Sequence, residues 1–130
     1  MFHGSLVEPL HKGLVRAHDG HILSLDSSGI LQFKWNVTNE SSIFEISKDG
    51  ELLNDKGDRV YWIQDDDEND ERGEKKYWFK VEKFGPNELF LKAFDTENNE
   101  VGKYLTIKLE GLTLKDQAST LSEFIITKEI

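Results

Sequence analysis

The sequence predicts an all-β protein built from three successive four-strand units, and three observations carry that prediction. Leu31, Phe33 and Trp35 alternate with Gln32 and Lys34, the period of a strand with one buried face. Turn-forming clusters, Asp19-Gly20, Asp26-Ser27-Ser28-Gly29, Asn54 to Gly57 and others, interrupt the apolar runs every few residues. The chain also repeats itself. Gly20-His21-Ile22-Leu23-Ser24-Leu25 and Gly102-Lys103-Tyr104-Leu105-Thr106-Ile107 share one order of glycine, long polar residue, two apolar residues, hydroxyl and aliphatic. In each, a second glycine (Gly29, Gly111) stands nine positions after the first, and Gly57-Asp58-Arg59-Val60-Tyr61-Trp62-Ile63 is a weaker copy between them.

In the first unit, about residues 12–50, Gly13-Leu14-Val15-Arg16-Ala17-His18 is the opening strand. Asp19-Gly20 supplies a two-residue hairpin turn, because glycine tolerates the positive φ required there. His21 to Leu25 returns, Asp26 to Gly29 turns again, and Ile30 to Trp35 is the third strand. Asn36 to Ser42 is a polar loop; the fourth strand, Ser42 to Ile46, is closed by Lys48-Asp49-Gly50.

The second unit, about 51–86, opens at Glu51-Leu52-Leu53 and turns at Asn54 to Gly57, with Arg59 to Gln64 as its second strand. The run Asp65-Asp66-Asp67-Glu68-Asn69-Asp70-Glu71-Arg72-Gly73-Glu74 follows. So dense a charge cluster cannot be buried, and it reads as an exposed loop that replaces or shortens the third strand. Tyr77 to Glu82 is the fourth strand, ended by Phe84-Gly85-Pro86. In the third unit, about 87–130, strands are expected over Asn87 to Ala93, Lys103 to Leu109, Leu112 to Lys115 and Ser122 to Thr127, with a polar insertion at Asp95 to Glu100 and a loop at Asp116 to Thr120.

Superposed, the units hold one period: Val15, Leu52 and Leu89 lie 37 residues apart, as do Gly20 and Gly57, and Leu23 and Val60. Phe44, Phe79 and Phe124 each sit in the last strand of a unit. One unit cannot bury its apolar face alone, whereas three share an axial core. Leu23, Val60 and Leu105 are expected to form one layer of it, and the three phenylalanines another. On these residues the chain resembles the β-trefoil superfamily, which implies a single domain over 1–130 with pseudo-threefold symmetry. Gly20-His21-Ile22-Leu23-Ser24 and Gly102-Lys103-Tyr104-Leu105-Thr106 are similar to the glycine-basic-aromatic-leucine-serine hairpin of the fascin and hisactophilin group, and Phe124-Ile125-Ile126 to a trefoil's final strand. Fibroblast growth factors and interleukin-1-like cytokines have comparable hairpins and are resembled less closely. The middle unit, with Arg59-Val60-Tyr61-Trp62, departs furthest from the pattern. The resemblance to the fascin group implies an actin-associated role. Actin filaments and this chain are both acidic, however, and the histidine-rich surface through which hisactophilin senses pH is missing. An inhibitor-like or cytokine-like trefoil that docks on a basic partner suits an acidic surface better.

The formal charge of −9 over 130 residues repels phosphate backbones and anionic bilayers, so neither nucleic acid nor membrane is an expected partner. With no cysteine, disulfides and thiolate metal sites are excluded. That composition suits a reducing compartment, and a cytoplasmic location is expected, with secretion lacking a visible leader as the alternative. Met1 to Gly13, interrupted by His3, Glu8, Pro9 and His11, does not make a signal-peptide core. A monomer is expected, since closure by internal repetition needs no second copy.

Catalysis finds little support. The chain has no cysteine nucleophile and no Gly-x-Ser-x-Gly turn. Its paired carboxylates lie in the acidic run, where a solvated cluster cannot hold two groups at a fixed separation. His18 and His21 bracket the first turn without a third ligand at metal spacing. A calcium loop begun at Asp65 puts Asp70 where glycine is needed and Lys76 where glutamate is needed, so neither metal nor cofactor is expected. Asn36-Val37-Thr38 and Asn39-Glu40-Ser41 are glycosylation acceptor sequences. The expectation is therefore a non-catalytic module that recognises another protein through surface loops, with Asp65, Asp66, Asp67, Glu68, Asp70 and Glu71 as the contacting residues. The alternative is a lectin outside the ricin Gln-x-Trp type, stacking sugar faces on Trp35, Trp62 and Trp78.

Overall fold

The structure, a computed structural model, describes residues 9–34, 42–64, 75–109 and 111–128. Among them the chain forms eleven strands. They are β1 (Lys12–Ala17), β2 (Ile22–Leu25), β3 (Leu31–Lys34), β4 (Ile43–Ile46), β5 (Leu52–Asn54), β6 (Trp62–Gln64), β7 (Lys75–Lys83), β8 (Glu88–Phe94), β9 (Glu100–Lys108), β10 (Gly111–Lys115) and β11 (Phe124–Thr127). A 3-10 turn, Thr120–Ser122, follows the expected loop and takes in Ser122, which was expected to open the last strand; the Ser119 hydroxyl caps it by accepting from the Leu121 amide.

The strands pair antiparallel into a nearly closed, barrel-like ring. β1 pairs with β4, β4 with β5, β7 with β8, β8 with β11, and β11 returns to β1. The remaining link, β5 to β7, is the single bridge Glu51↔Lys80, beside which the Val81 amide donates to the Gly50 carbonyl at 2.7 Å. Three hairpins extend from this ring: β2 with β3, β6 with the start of β7, and β9 with β10.

Inward positions along these strands are apolar because successive residues face opposite sides of a sheet. In β8, Leu89, Leu91 and Ala93 are buried while Glu88 is exposed and Phe90, Lys92 and Phe94 are half-buried. Val15, Leu52 and Leu89, then Leu23, Val60 and Leu105, then Phe44, Phe79 and Phe124, are all buried in one cluster. Each of the phenylalanines contributes roughly 1.5–3 kcal/mol by leaving water. The aliphatic positions on the 37-residue step, Val15, Leu52 and Leu89 with Leu23 and Val60, are thus core positions, whereas Gly20 and Gly57 are exposed turn residues.

Two expectations need correction. The turn between β1 and β2 has three residues, not two. The Ala17 amide donates to the His21 carbonyl, the Gly20 amide donates to the Ala17 carbonyl, and Gly20 has φ +95°. This is a type I turn completed by a left-handed glycine, a geometry that suits strand twist as well as the two-residue form does. The second unit, whose third strand was expected to be replaced or shortened by the acidic run, keeps a short third-strand pairing, and it is not a separate strand. Lys75, Lys76 and Tyr77 pair with Gln64, Ile63 and Trp62, and the same strand runs on from Trp78 to pair with β8. Third and fourth strands are fused into one nine-residue element, so the described chain has eleven strands where twelve were expected.

Candidate functional site

Four of the turns that face solvent are built alike. Asp26 Oδ1 accepts from the amides of Ser28 and Ile30, Asn54 Oδ1 from Lys56 and Asp58, Asp95 Oδ1 from Glu97 and Asn99, and Ser47 Oγ from Asp49 and Glu51. In each, the residue three positions on has positive φ: Gly29, Gly57, Asn98 and Gly50. Short polar side chains that bond their own backbone in this way hold a turn rigid. The Asp26 and Asn54 turns together flank a cleft of about 240 Å³ lined also by Leu25, Asp55 and Lys56.

A second cleft, about 400 Å³, opens at the base of the β6–β7 hairpin between Lys75, Lys76 and Tyr77 on one side and Asp95, Thr96 and Val101 on the other. The hairpin is anchored there by the register Gln64↔Lys75. The Lys76 ammonium lies 4.6 Å above the Tyr61 ring, a cation–π contact that fixes the lysine stem. The expected contact residues Asp65, Asp66, Asp67, Glu68, Asp70 and Glu71 depart from this anchored pair and lie outside the described residues, as do Trp35, Asn36 and Asn39.

Trp62 and Trp78 are described, and both are buried, 8% and 3% exposed. Trp62 stacks on Tyr77 at 6.4 Å. Trp78 stacks on Phe94 at 4.6 Å, carries the Arg59 guanidinium 3.7 Å from its ring centre, and donates its Nε1 hydrogen to the Asp95 carbonyl at 2.9 Å. Rings covered in this way offer no open face for a sugar. Arg59 is itself tied to Glu51 and to Asn98 Oδ1. The hydrogen bond to Glu51 raises its pKa, outweighing desolvation, so it remains a fixed cation. The cluster therefore fastens β5, β7 and the Asp95 turn together. Sequence reasoning missed it, since Arg59 and Trp78 stand 19 positions apart with no periodic relation.

Other charges are likewise committed to packing. Lys92 lies 3.5 Å from both Glu82 and Glu100. Desolvation lowers its pKa, but these carboxylates outweigh that and raise it. His21 Nδ1 lies 2.7 Å from Asp19 Oδ2, and its ring stacks 4.0 Å from Phe33. Desolvation raises the Asp19 pKa, yet the hydrogen bonds from His21 prevail and lower it. Among the described residues, no group of three His, Cys, Asp or Glu side chains is placed to hold a metal ion.

Comparison of the sequence with protein-family models and with curated proteins finds no match. The described geometry defines an all-β domain with a nearly closed antiparallel barrel-like sheet. No family is identified beyond that class.

Proposed function

We propose that this chain is a β-trefoil recognition module, non-catalytic, that binds a basic surface of another protein through the Asp65–Glu74 connection. One observation carries the reading: the connection holds seven carboxylates and one arginine, six of the nine net negative charges of the chain. It joins two strands held in fixed register, and the base of that pair lines a 400 Å³ cleft. Charge concentrated in one short stretch of chain steers a basic partner on approach. The trefoil assignment draws support from the six-strand ring, the three hairpins and the 37-residue spacing of buried positions. Likeness to the fascin group concerns this scaffold; an acidic module has the wrong sign for actin.

The carbohydrate reading is the weaker one, because Trp62 and Trp78 are spent on packing. The test is affinity capture from cell extract with the wild type and with the D65K/D66K/D67K variant as baits. Proteins retained by the first and lost by the second are the expected result. An identical captured set removes the acidic connection from the account. A glycan array run in parallel on the folded protein should stay blank; binding to a defined sugar overturns the protein-recognition reading in favour of the lectin.

A further inference from the structure

The outer wall of the barrel carries a row of three residues aligned across three strands. Arg16 on β1 stands in register with Ile125 on β11, and Ile125 in turn with Glu88 on β8. Residues directly opposite in an antiparallel ladder share a face. Phe124 and Ile126, on either side of Ile125, point into the core, so the row points outward. Ile125 is 41% exposed and Phe84 42% exposed, and both line a cleft of about 200 Å³ with Arg16, Glu88 and Glu123. Adjacent strands lie about 5 Å apart, which puts the cation and the anion about 10 Å apart at the backbone with an apolar side chain midway. Arg16 Nε donates to the Thr127 hydroxyl at 3.4 Å. Among the described residues neither Arg16 nor Glu88 enters an ion pair.

A row that reads positive, apolar, negative is its own complement under a two-fold rotation. With the axis through Ile125, the two isoleucines meet and each arginine faces the glutamate of the second copy, the pattern of an isologous contact. We propose that this row is the centre of a weak two-fold interface between copies of the chain. The monomer expected from internal closure concerns the inside of the barrel; the row lies on its outer wall. The net charge of −9 opposes any meeting of two copies, so the contact needs both reciprocal ion pairs as well as the apolar centre. It belongs with small, transient interfaces.

Sedimentation equilibrium up to about 1 mM protein covers this affinity range. The wild type should self-associate to a dimer. R16E alone sets glutamate against glutamate at both ends, and E88R alone sets arginine against arginine. Each should weaken the dimer by about tenfold or more. An equimolar mixture of the two variants restores both pairs and should recover a dimer within about threefold of the wild-type affinity. I125K, at an exposed position that leaves the fold intact by thermal melt, should abolish it. A wild type that stays monomeric overturns the proposal, and so does a mixture no more associated than its separate components. The D65K/D66K/D67K variant should dimerise as the wild type does, and I125K should capture the same proteins as the wild type, which keeps this contact separable from the acidic one.

Discussion

At the scale of single residues, two buried sites give opposed predictions. Gly13 lies on β1 where a Cβ would stand 2.1 Å from the Thr127 carbonyl oxygen and 3.3 Å from the Ile126 side chain. Backbone cannot yield as a flexible side chain does. Gly13→Ala should therefore cost about 2–3 kcal/mol, read as a lower urea midpoint at unchanged slope. The second site is a pair of hydroxyls present in two of the repeats. Thr106 Oγ1 and Ser122 Oγ lie 3.0 Å apart, Thr106 also donates to the Tyr104 carbonyl, and the Ser119 amide donates to Ser122 Oγ. Ser24 and Ser42 hold the same places relative to Leu23 and Phe44 as Thr106 and Ser122 do to Leu105 and Phe124. Both of their hydroxyls are buried with no hydrogen-bond partner among the described residues. Ser122→Ala takes a partner from the buried Thr106 hydroxyl and the side-chain acceptor from the Ser119 amide, and should destabilise by about 1–2 kcal/mol. The double change Ser24→Ala with Ser42→Ala removes two unsatisfied groups and should leave stability unchanged or raised. Chemical denaturation of the two variants side by side checks the contrast, and equal losses would show that the Ser24 and Ser42 hydroxyls are satisfied in solution.

At the scale of elements, the self-capped turns explain how strands as short as three residues keep their register. Asn54 makes the case: its Oδ1 accepts from two amides, at 2.8 Å to Lys56 and 2.9 Å to Asp58. Asn54→Ala should cost about 1–2 kcal/mol, in the range of a lost helix cap, while Asn54→Asp should cost less because the acceptor is kept. Thermal melts of the two variants decide it. These turns were legible in the sequence because Asp, Asn and Gly at fixed offsets have a local physical cause. The core residues were legible for a related reason, since Val15, Leu52 and Leu89 recur 37 residues apart, each within a short apolar run. The fusion of third and fourth strands in β7 was not. Lys75 and Lys76 are exposed and follow the acidic run directly, so nothing in their polarity marks a strand; they are strand because Ile63 and Gln64 pair with them. The fate of the tryptophans was hidden too. Trp78 is an exposed platform or a packed ring depending on Arg59 and Phe94, which reach it only through the folded topology.

At the scale of the whole molecule, the ring depends on strands from the two ends of the chain lying side by side. β11 holds four registered pairs with β1 and two with β8, and it supplies Phe124 and Ile126 to the core. Ending the chain after Glu123 removes both side chains and opens the ring on two sides. Large-to-small changes at such positions cost about 2–5 kcal/mol each, and their sum approaches the total stability of about 5–15 kcal/mol of an ordinary domain. The truncated chain should be unfolded by near-ultraviolet circular dichroism. A circular permutant tests whether the pairings or the chain order matters. Leu14 pairs with Thr127, so a short polar linker can join residue 128 to residue 9, with new ends placed between Gln64 and Lys75. Every pairing of the ring is kept, and the core is complete. This permutant should fold, with stability within about 2 kcal/mol of the parent, because a loop of changed length alters closure entropy only by its logarithm. Failure to fold would mean that the β6–β7 connection holds the register of that hairpin, a role its charge alone does not explain. A folded permutant would instead show that continuity of the acidic connection is not needed to hold the ring together.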